Sequence, residues 1–438
     1  MSIPIGVRRE DKSIWERRVP IVPEDARRLL DTHDIEVWIQ PSEVRVFQDE
    51  EFAQSGARVE EDLSPCPIVF GVKEIPLPFF QPGRTYAFFA HVVKGQAYNM
   101  PMLKRLLDLG CQLIDYEKAT DEQGRRLIFF GRHAGQAGMI NTLWALGQRL
   151  NQEGTPSPFD DLRQARHYGS LAEAKAAVSA LGERIAREGL PDAITPLICG
   201  FAGYGNVFRG SDEIIELLPV QEIQPHEVAT VAQSADYSRH AVYKVVFKEE
   251  HTVEPISPGE HFALHDYYDH PEKYRSRFHT YLPHLSLLIN CIYWEARYPR
   301  LVTKADLRQL YSGPELPRLR VIGDVSCDIE GAIEATVKCT EPGDPVFVYD
   351  PVEDRAIDGF ESRGVAVLAV DILPSELPRD ASEYFSGVLM KYIPAIAQAD
   401  YSVPFEQLAL PPEIKRAVIV YQGELTPDYR YLERYLEA

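Results

Sequence analysis

Short apolar runs alternate along this chain with stretches whose polarity follows a helical period. "IPIGV", "EVWIQ", "CPIVFGV", "TYAFFAHVV" and "CQLIDYE" read as strands, and "PEDARRLLDTH" and "MPMLKRLLDLG" as helices between them. The helix opening at Pro23 carries proline and acids in its first turn, which suits a helix N-terminus. "AGQAGMINTLWALGQRLNQEG" predicts one long helix, a bridge out of the first series. Its small residues Ala134, Gly135, Ala137 and Gly138 allow close approach to another element. "TPSPFDDLRQARHYGS" is a surface connection, followed by the helix "LAEAKAAVSALGERIAREG". A second α/β series starts at "AITPLICGF" and continues through "LPVQEI", "YKVVFK", "RLRVIGDVS", "PVFVYD" and "GVAVLAVDI". A Tyr- and His-rich segment near 249–284 interrupts it, too long for a plain loop and read as an elaborated insertion. "SEYFSGVLMKYIPAIAQA" predicts a closing helix.

A length of 438 residues favours two domains over one core. With 46 Lys plus Arg against 66 Asp plus Glu, the formal net charge is -20. That balance disfavours nucleic acid and anionic membrane surfaces as partners. The six cysteines form no C-x-x-C pair and read as reduced core thiols. The charged start "MSIPIGVRRE" is unlike a signal peptide, and no apolar run is long enough to span a bilayer. The expectation is a cytoplasmic protein. His261, His265 and His270 with Asp266 and Asp269 have a metal-like look, but no third ligand stands at a familiar interval; no metal is expected.

"PLICGFAGYGNVFRG" runs an apolar strand into Gly200, Gly203 and Gly205, with a helix able to follow from Asn206. Glycines permit a tight turn and close backbone approach, and a helix N-terminus favours a pyrophosphate. The spacing departs from G-x-G-x-x-G, since Phe208 holds the third position, so a ligand-free βα turn stays open as a reading. The loop residues Gly200, Gly203, Tyr204, Gly205, Asn206 and Val207 are the candidate cofactor cradle. Glu222 stands where an acid would hold a ribose 2′-hydroxyl, and Arg239 follows at some distance, leaving NAD against NADP undecided.

Lys73 follows "IVFGV" at a predicted strand end, where open α/β sheets place their sites, and His91 lies near the end of the next apolar run. If the two strands pair, both side chains face one crevice and make an acid–base pair. A snorkelling lysine and a satisfied core histidine are the plain alternatives. Glu16, Arg18 and Glu117 sit near other strand ends, with Asp324 and Asp328 at a strand end of the second series. Arg18 could clamp a carboxylate.

Taken together, "WERRVPIVP", "GVKE", "TYAFFAHVVKGQ", "IDYEKATDEQGRRLIFFG", "AGMIN", "INCIYWE", "PRLVT", "GDVSCDIEGAIE" and "LPSELPRDASEYF" span nearly the whole chain in order. They resemble the lysine–2-oxoglutarate reductase half of aminoadipic semialdehyde synthase. The chain is similar, more distantly, to fungal saccharopine dehydrogenase (lysine-forming) and alanine dehydrogenase. The resemblance implies an α/β fold of two Rossmann-like domains with an interdomain active-site cleft. It implies a substrate domain of residues 1–133 plus 374–438 and a dinucleotide domain of 134–373. With no glutamate-forming half in view, a stand-alone reductase is expected.

The implied reaction condenses L-lysine with 2-oxoglutarate to saccharopine, reversibly, with NADP(H) favoured and NAD(H) admitted. By the same resemblance Lys73 and His91 are the catalytic pair, and Glu16, Arg18, Glu74, Lys94 and Glu117 bind substrate. Asp328 matches the family acid near the nicotinamide ribose, and Asp324, from its strand-end position, is a further cofactor-binding candidate. Relatives vary in assembly, and a homo-oligomer is compatible with the reading. Two departures stand out. The usual "DNLP" reads "DILP", with Ile372 for an expected asparagine, and His133 replaces a more common aromatic. A related opine-type or amino-acid dehydrogenase using another amine therefore stays open, as does a non-catalytic nucleotide-binding subunit.

Overall fold

Five apolar runs of the N-terminal part, with the short unpredicted segment Arg58–Val59, become parallel strands of one sheet. They are β1 (Ile3–Val7), β2 (Ile35–Ile39), β3 (Arg58–Val59), β4 (Ile68–Phe70), β5 (Thr85–Phe88) and β6 (Gln112–Asp115). The computed structural model describes residues 2–436, and its contacts divide the chain into Met1–Phe130 with Pro378–Ala438, and Gly131–Leu377.

The second unit carries β7 (Leu197–Ala202), β8 (Val220–Glu222), β9 (Val242–Phe247), β10 (Val253–Pro255), β11 (Tyr274–Ser276), β12 (Leu287–Asn290), β13 (Val321–Asp324), β14 (Val346–Asp350), β15 (Arg355–Asp358) and β16 (Val365–Leu368). The chain then returns to the first unit with β17 (Val418–Tyr421) and β18 (Glu424–Leu425).

The first sheet has the order β18-β17-β6-β5-β4-β1-β2-β3, with only β17 and β18 antiparallel to their neighbours. Residues of β4, β5 and β6 are buried along their whole length, as strands covered on both faces must be. That explains why these runs lack an apolar–polar alternation. The closing segment differs from the single helix expected. It forms Pro378–Leu389 and then Ile393–Gln398. Pro394 has no N–H to donate and its ring crowds the carbonyl four residues back, so it opens a new helix instead of continuing the old one.

The second sheet has the order β15-β14-β16-β13-β12-β7-β9-β8, parallel from β16 to β8. From β7 the chain first builds outward through β8 and β9, then crosses to β12 on the other side. The strand order therefore reverses beside β7, the place where open α/β sheets leave a crevice. The helix Gly131–Gln152 packs on the helix Asn206–Ile215 at paired glycines. A Cβ on Gly135 would lie 1.9 Å from the Val207 carbonyl oxygen, and one on Gly210 would lie 1.9 Å from that of Arg132. The insertion forms the β10–β11 hairpin and a small core of Val253, Tyr267 and Tyr274.

No helix among the described residues is long and apolar enough to cross a membrane. Nor does any group of three His, Cys, Asp or Glu side chains among them offer a metal site. Asp266 of the histidine-rich segment instead binds Lys273 at 2.6 Å and Tyr274 at 3.0 Å.

Candidate functional site

In the first unit the neighbouring parallel strands β1, β4, β5 and β6 all end on one edge of the sheet. The chain beyond each of them supplies a titratable group. Past β1 come Glu10, Glu16 and Arg18; past β4, Lys73 and Glu74; past β5, His91 and Lys94; past β6, Glu117. Both β4 and β5 stop short of the residues of interest. Pairing nevertheless continues past their ends, with Phe89 N donating to Val72 O at 3.0 Å. The loops bearing Lys73 and His91 are thus held side by side.

His91 is left-handed, with φ of 50°, a conformation costly for a residue with a Cβ. The buried Asn99 side chain holds that turn, its Nδ2 donating to Ala90 O at 3.0 Å and His91 O at 3.1 Å. The imidazole stacks on Phe89, and its Nδ1 lies 3.8 Å from Glu117 Oε2, an ion-pair separation when the ring is protonated. Glu117 also binds Arg126. Burial alone would raise the Glu117 carboxyl, but His91 and Arg126 outweigh it and hold the group at about 2.

Glu16 and Arg18 form a buried two-point pair, Nε to Oε1 at 2.7 Å and Nη2 to Oε2 at 2.5 Å, with the guanidinium over Phe130. The carboxylate that Arg18 holds is therefore Glu16's own, in place of the open clamp expected from sequence. Burial raises the Glu16 carboxyl, yet Arg18 and the charge of Lys73 bring it below its usual range. Glu74 accepts from Lys12 at 2.8–2.9 Å; against burial, Lys12 and the nearby His91 charge keep its carboxyl low. Lys94 is the outlier of the group, exposed on the following turn.

Three buried polar residues of this edge escaped the sequence reading. Glu10 accepts from the backbone N–H groups of Val72 at 2.7 Å and Lys73 at 3.0 Å, so it fixes the Lys73 loop. Burial pushes its carboxyl up to about 7. Asp115 caps the turn carrying Glu117, accepting from its N–H at 2.9 Å, and burial raises it to about 7 as well. Asn99 is the third. Only Glu10 left a trace, as an acid three residues past an apolar run; Asp115 and Asn99 have no local signature.

In the second unit the glycine loop closes β7. Gly203 has φ of 94°, open to glycine, and its N–H donates to Phe247 O at 3.0 Å. A Cβ on Gly205 would meet nothing within 4 Å, so the backbone there is open to approach. Asn206 and Val207 start the ten-residue helix Asn206–Ile215 and direct its N-terminal dipole toward that opening. Exposed Tyr204 stands between the two glycines. These residues fit a dinucleotide phosphate.

Gly200 does not belong to this cradle. It is buried inside β7, where a Cβ would press on Leu285 and Phe247 at 2.9–3.0 Å. Asp324 is also corrected. It is buried and bound by Asn290 at 2.8 Å, Thr336 at 2.6 Å and Cys327 N at 3.2 Å, which makes it an anchor for the loop after β13. Exposed Asp328 lies in that loop. Glu222 ends β8, which β9 separates from β7, and its nearest cation is Lys244 at 3.6 Å. A ribose contact from Glu222 requires the strand that follows the loop to lie beside it, and here β9 lies there instead. Ile372 packs against the core of the unit, and His133 is buried in the first turn of the long helix.

Two α/β units, each with a site-bearing strand edge, define a dehydrogenase-type architecture. Residues 6–137 match the model for the alanine dehydrogenase/PNT N-terminal domain, and residues 253–428 match that for its C-terminal domain. The chain belongs to the alanine dehydrogenase/PNT family. It is 37% identical to alpha-aminoadipic semialdehyde synthase of Arabidopsis thaliana over 98% of this chain and 41% of that protein. Against the mouse mitochondrial alpha-aminoadipic semialdehyde synthase it is 36% identical over 99% of this chain and 48% of the other. The chain thus spans somewhat under half the length of these relatives. A saccharopine dehydrogenase [NAD(+), L-lysine-forming] of Emericella nidulans is 27% identical, with 89% and 91% of the two chains covered. An L-alanine dehydrogenase structure superposes with a TM-score of 0.62 at 15% identity over 99% of both chains, a likeness of fold.

Proposed function

We propose that this chain is an oxidoreductase that condenses L-lysine with 2-oxoglutarate and reduces the product to saccharopine, reversibly. The observation that carries this reading is the strand edge where Lys73, His91 and Glu117 come together with the Glu16–Arg18 pair. Sequence likeness to alpha-aminoadipic semialdehyde synthase over almost the whole chain supports the choice of substrates. The name of the Emericella nidulans relative describes the same lysine-forming chemistry run in reverse.

The chemistry asks for proton transfers that this edge is equipped to make. The ε-ammonium of lysine must lose a proton before it attacks the keto carbon, and Lys73 or His91 accepts it. The carbinolamine then loses water, with a proton delivered to its hydroxyl. A nicotinamide dinucleotide, when bound, would supply the hydride for reducing the resulting imine. Glu74 and Glu117 carry negative charge suited to attracting an ammonium, and exposed Lys94 offers a cation for a carboxylate, while Arg18 is engaged by Glu16. Gly203, Gly205, Asn206 and Val207 would hold the dinucleotide phosphates. The proposal places the protein in the cytoplasm, a reducing setting in keeping with its free cysteines; fractionation of the source cells tests that part.

The decisive assay follows reduced-nucleotide absorbance with lysine and 2-oxoglutarate, omitting each in turn and replacing lysine by ornithine or ammonia. Oxidation that requires both substrates is expected. Turnover with another amine alone would move the substrate, and none with any amine would remove the enzymatic reading.

A further inference from the structure

The strand that lies beside the glycine loop is β9, and it brings an acid of its own. Ala202 at the end of β7 pairs with Phe247 at the end of β9, so the residues just past Phe247 adjoin the loop. Glu249 is the second of them. Its carboxylate accepts from the Tyr204 hydroxyl at 3.2 Å and from the Tyr268 hydroxyl at 2.7 Å. Tyr204 is the loop residue between Gly203 and Gly205, and Tyr268 comes from the insertion. The acid is thereby held against the phosphate-facing turn from two directions. Burial and the Glu249 charge both raise the Tyr204 phenol, in keeping with a carboxylate close to the loop.

In dinucleotide folds, the residue at the end of the strand next to the glycine turn meets the adenine ribose. A carboxylate there accepts from the ribose hydroxyls of NAD and repels the added 2′-phosphate of NADP. The charges of this segment lean the same way. Lys248 brings one ammonium, against Glu249 and Glu250; His251 pairs with Glu250 at 3.6 Å, and the Arg277 charge is felt at His251.

We propose that Glu249, not Glu222, binds the adenine ribose, and that this chain therefore selects NAD(H) over NADP(H). The inference rests on the dinucleotide-binding part of the proposed function and is independent of which amine is the substrate. It departs from the NADP(H) preference that the family resemblance implies.

Calorimetric titration of the purified chain with NADH and NADPH, without substrates, tests it. NADH is expected to bind at least ~10-fold more tightly. Glu249→Gln should lose most of that difference and Glu249→Arg should reverse it, with thermal melts confirming that each variant is folded. Equal or tighter NADPH binding by the unaltered chain would overturn the proposal. So would loss of NADH affinity in Glu222→Gln with none in Glu249→Gln. Binding of neither nucleotide would overturn the dinucleotide reading itself, an outcome distinct from a wrong preference.

Discussion

The two strand edges of this protein solve different problems with the same architecture. At the edge of the first unit, charged side chains crowd together, and most of them are buried and paired: Glu16 with Arg18, Glu117 with Arg126 and His91, Glu10 with two backbone amides. At the edge of the second unit, the loop presents backbone and space. Gly203 turns, Gly205 leaves room, and one anchored acid, Glu249, stands beside them. An edge that moves protons needs side chains whose proton affinities are set by neighbours. An edge that binds a phosphate needs amides that can be approached. In the first unit a glycine would be wasted; in the second a side chain would obstruct.

That contrast can be broken at the packing beneath the loop, where the largest effect is expected. Gly210→Leu would drive a side chain into the Arg132 carbonyl and separate the two helices, costing roughly 3 kcal/mol and lowering dinucleotide affinity as well. Denaturant unfolding measures the first and calorimetry the second.

Lys73→Met and His91→Gln should each lower turnover by about 100-fold or more while leaving dinucleotide affinity unaltered. Steady-state rates and binding titrations are compared on the same preparations. If nucleotide binding falls together with the rate, the division of labour between the edges is mistaken.

Gly205→Ala sharpens the contrast from the other side. Its Cβ meets nothing in the protein, so stability should stay within about 0.5 kcal/mol. The same methyl occupies the approach of a pyrophosphate, so dinucleotide affinity should fall by about 10-fold. Unchanged affinity would mean that the phosphate lies elsewhere.

The smallest effect concerns pH. Glu117 is held at about 2, below the carboxyl of an unfolded chain near ~4.3. The unfolded state binds the proton first, so the contribution of this group is fully present above about pH 4 and is lost as pH falls toward 2. Glu117→Gln should flatten the decline of stability across that window. Glu10 acts oppositely: its carboxyl, at about 7, disfavours the folded state as pH rises from about 4 through 7. Unfolding free energies measured from pH 2 to 8 on Glu117→Gln and on Glu10→Gln separate the two.

Much of this was legible along the chain because it is local. Apolar runs mark strands whichever partner they find, and Gly203 before Gly205 and a helix start marks a turn that can cradle phosphate. Lys73 and His91 could be paired on paper because consecutive strands of a parallel sheet usually lie side by side, as β4 and β5 do. The same rule misled at Glu222, because β9 comes between β8 and β7. Gly200 and Asp324 misled for a related reason. A glycine or an acid at a strand end looks alike in sequence whether it faces a ligand or the core.

Read by itself, the chain determined its α/β class, its two series of strands, the resemblance to its family, and the residue types near each strand end. These depend on periodicity and on identities a few residues apart. Only the tertiary structure decided which strand lies beside the glycine loop, and so which acid guards it. It also decided that Arg18 already holds Glu16, and that Glu10, Asn99 and Asp115 support the loops at the strand ends of the first unit. Those facts depend on strand order and burial, which bring together groups that stand far apart in sequence and set the cost of leaving any of them charged and unpaired.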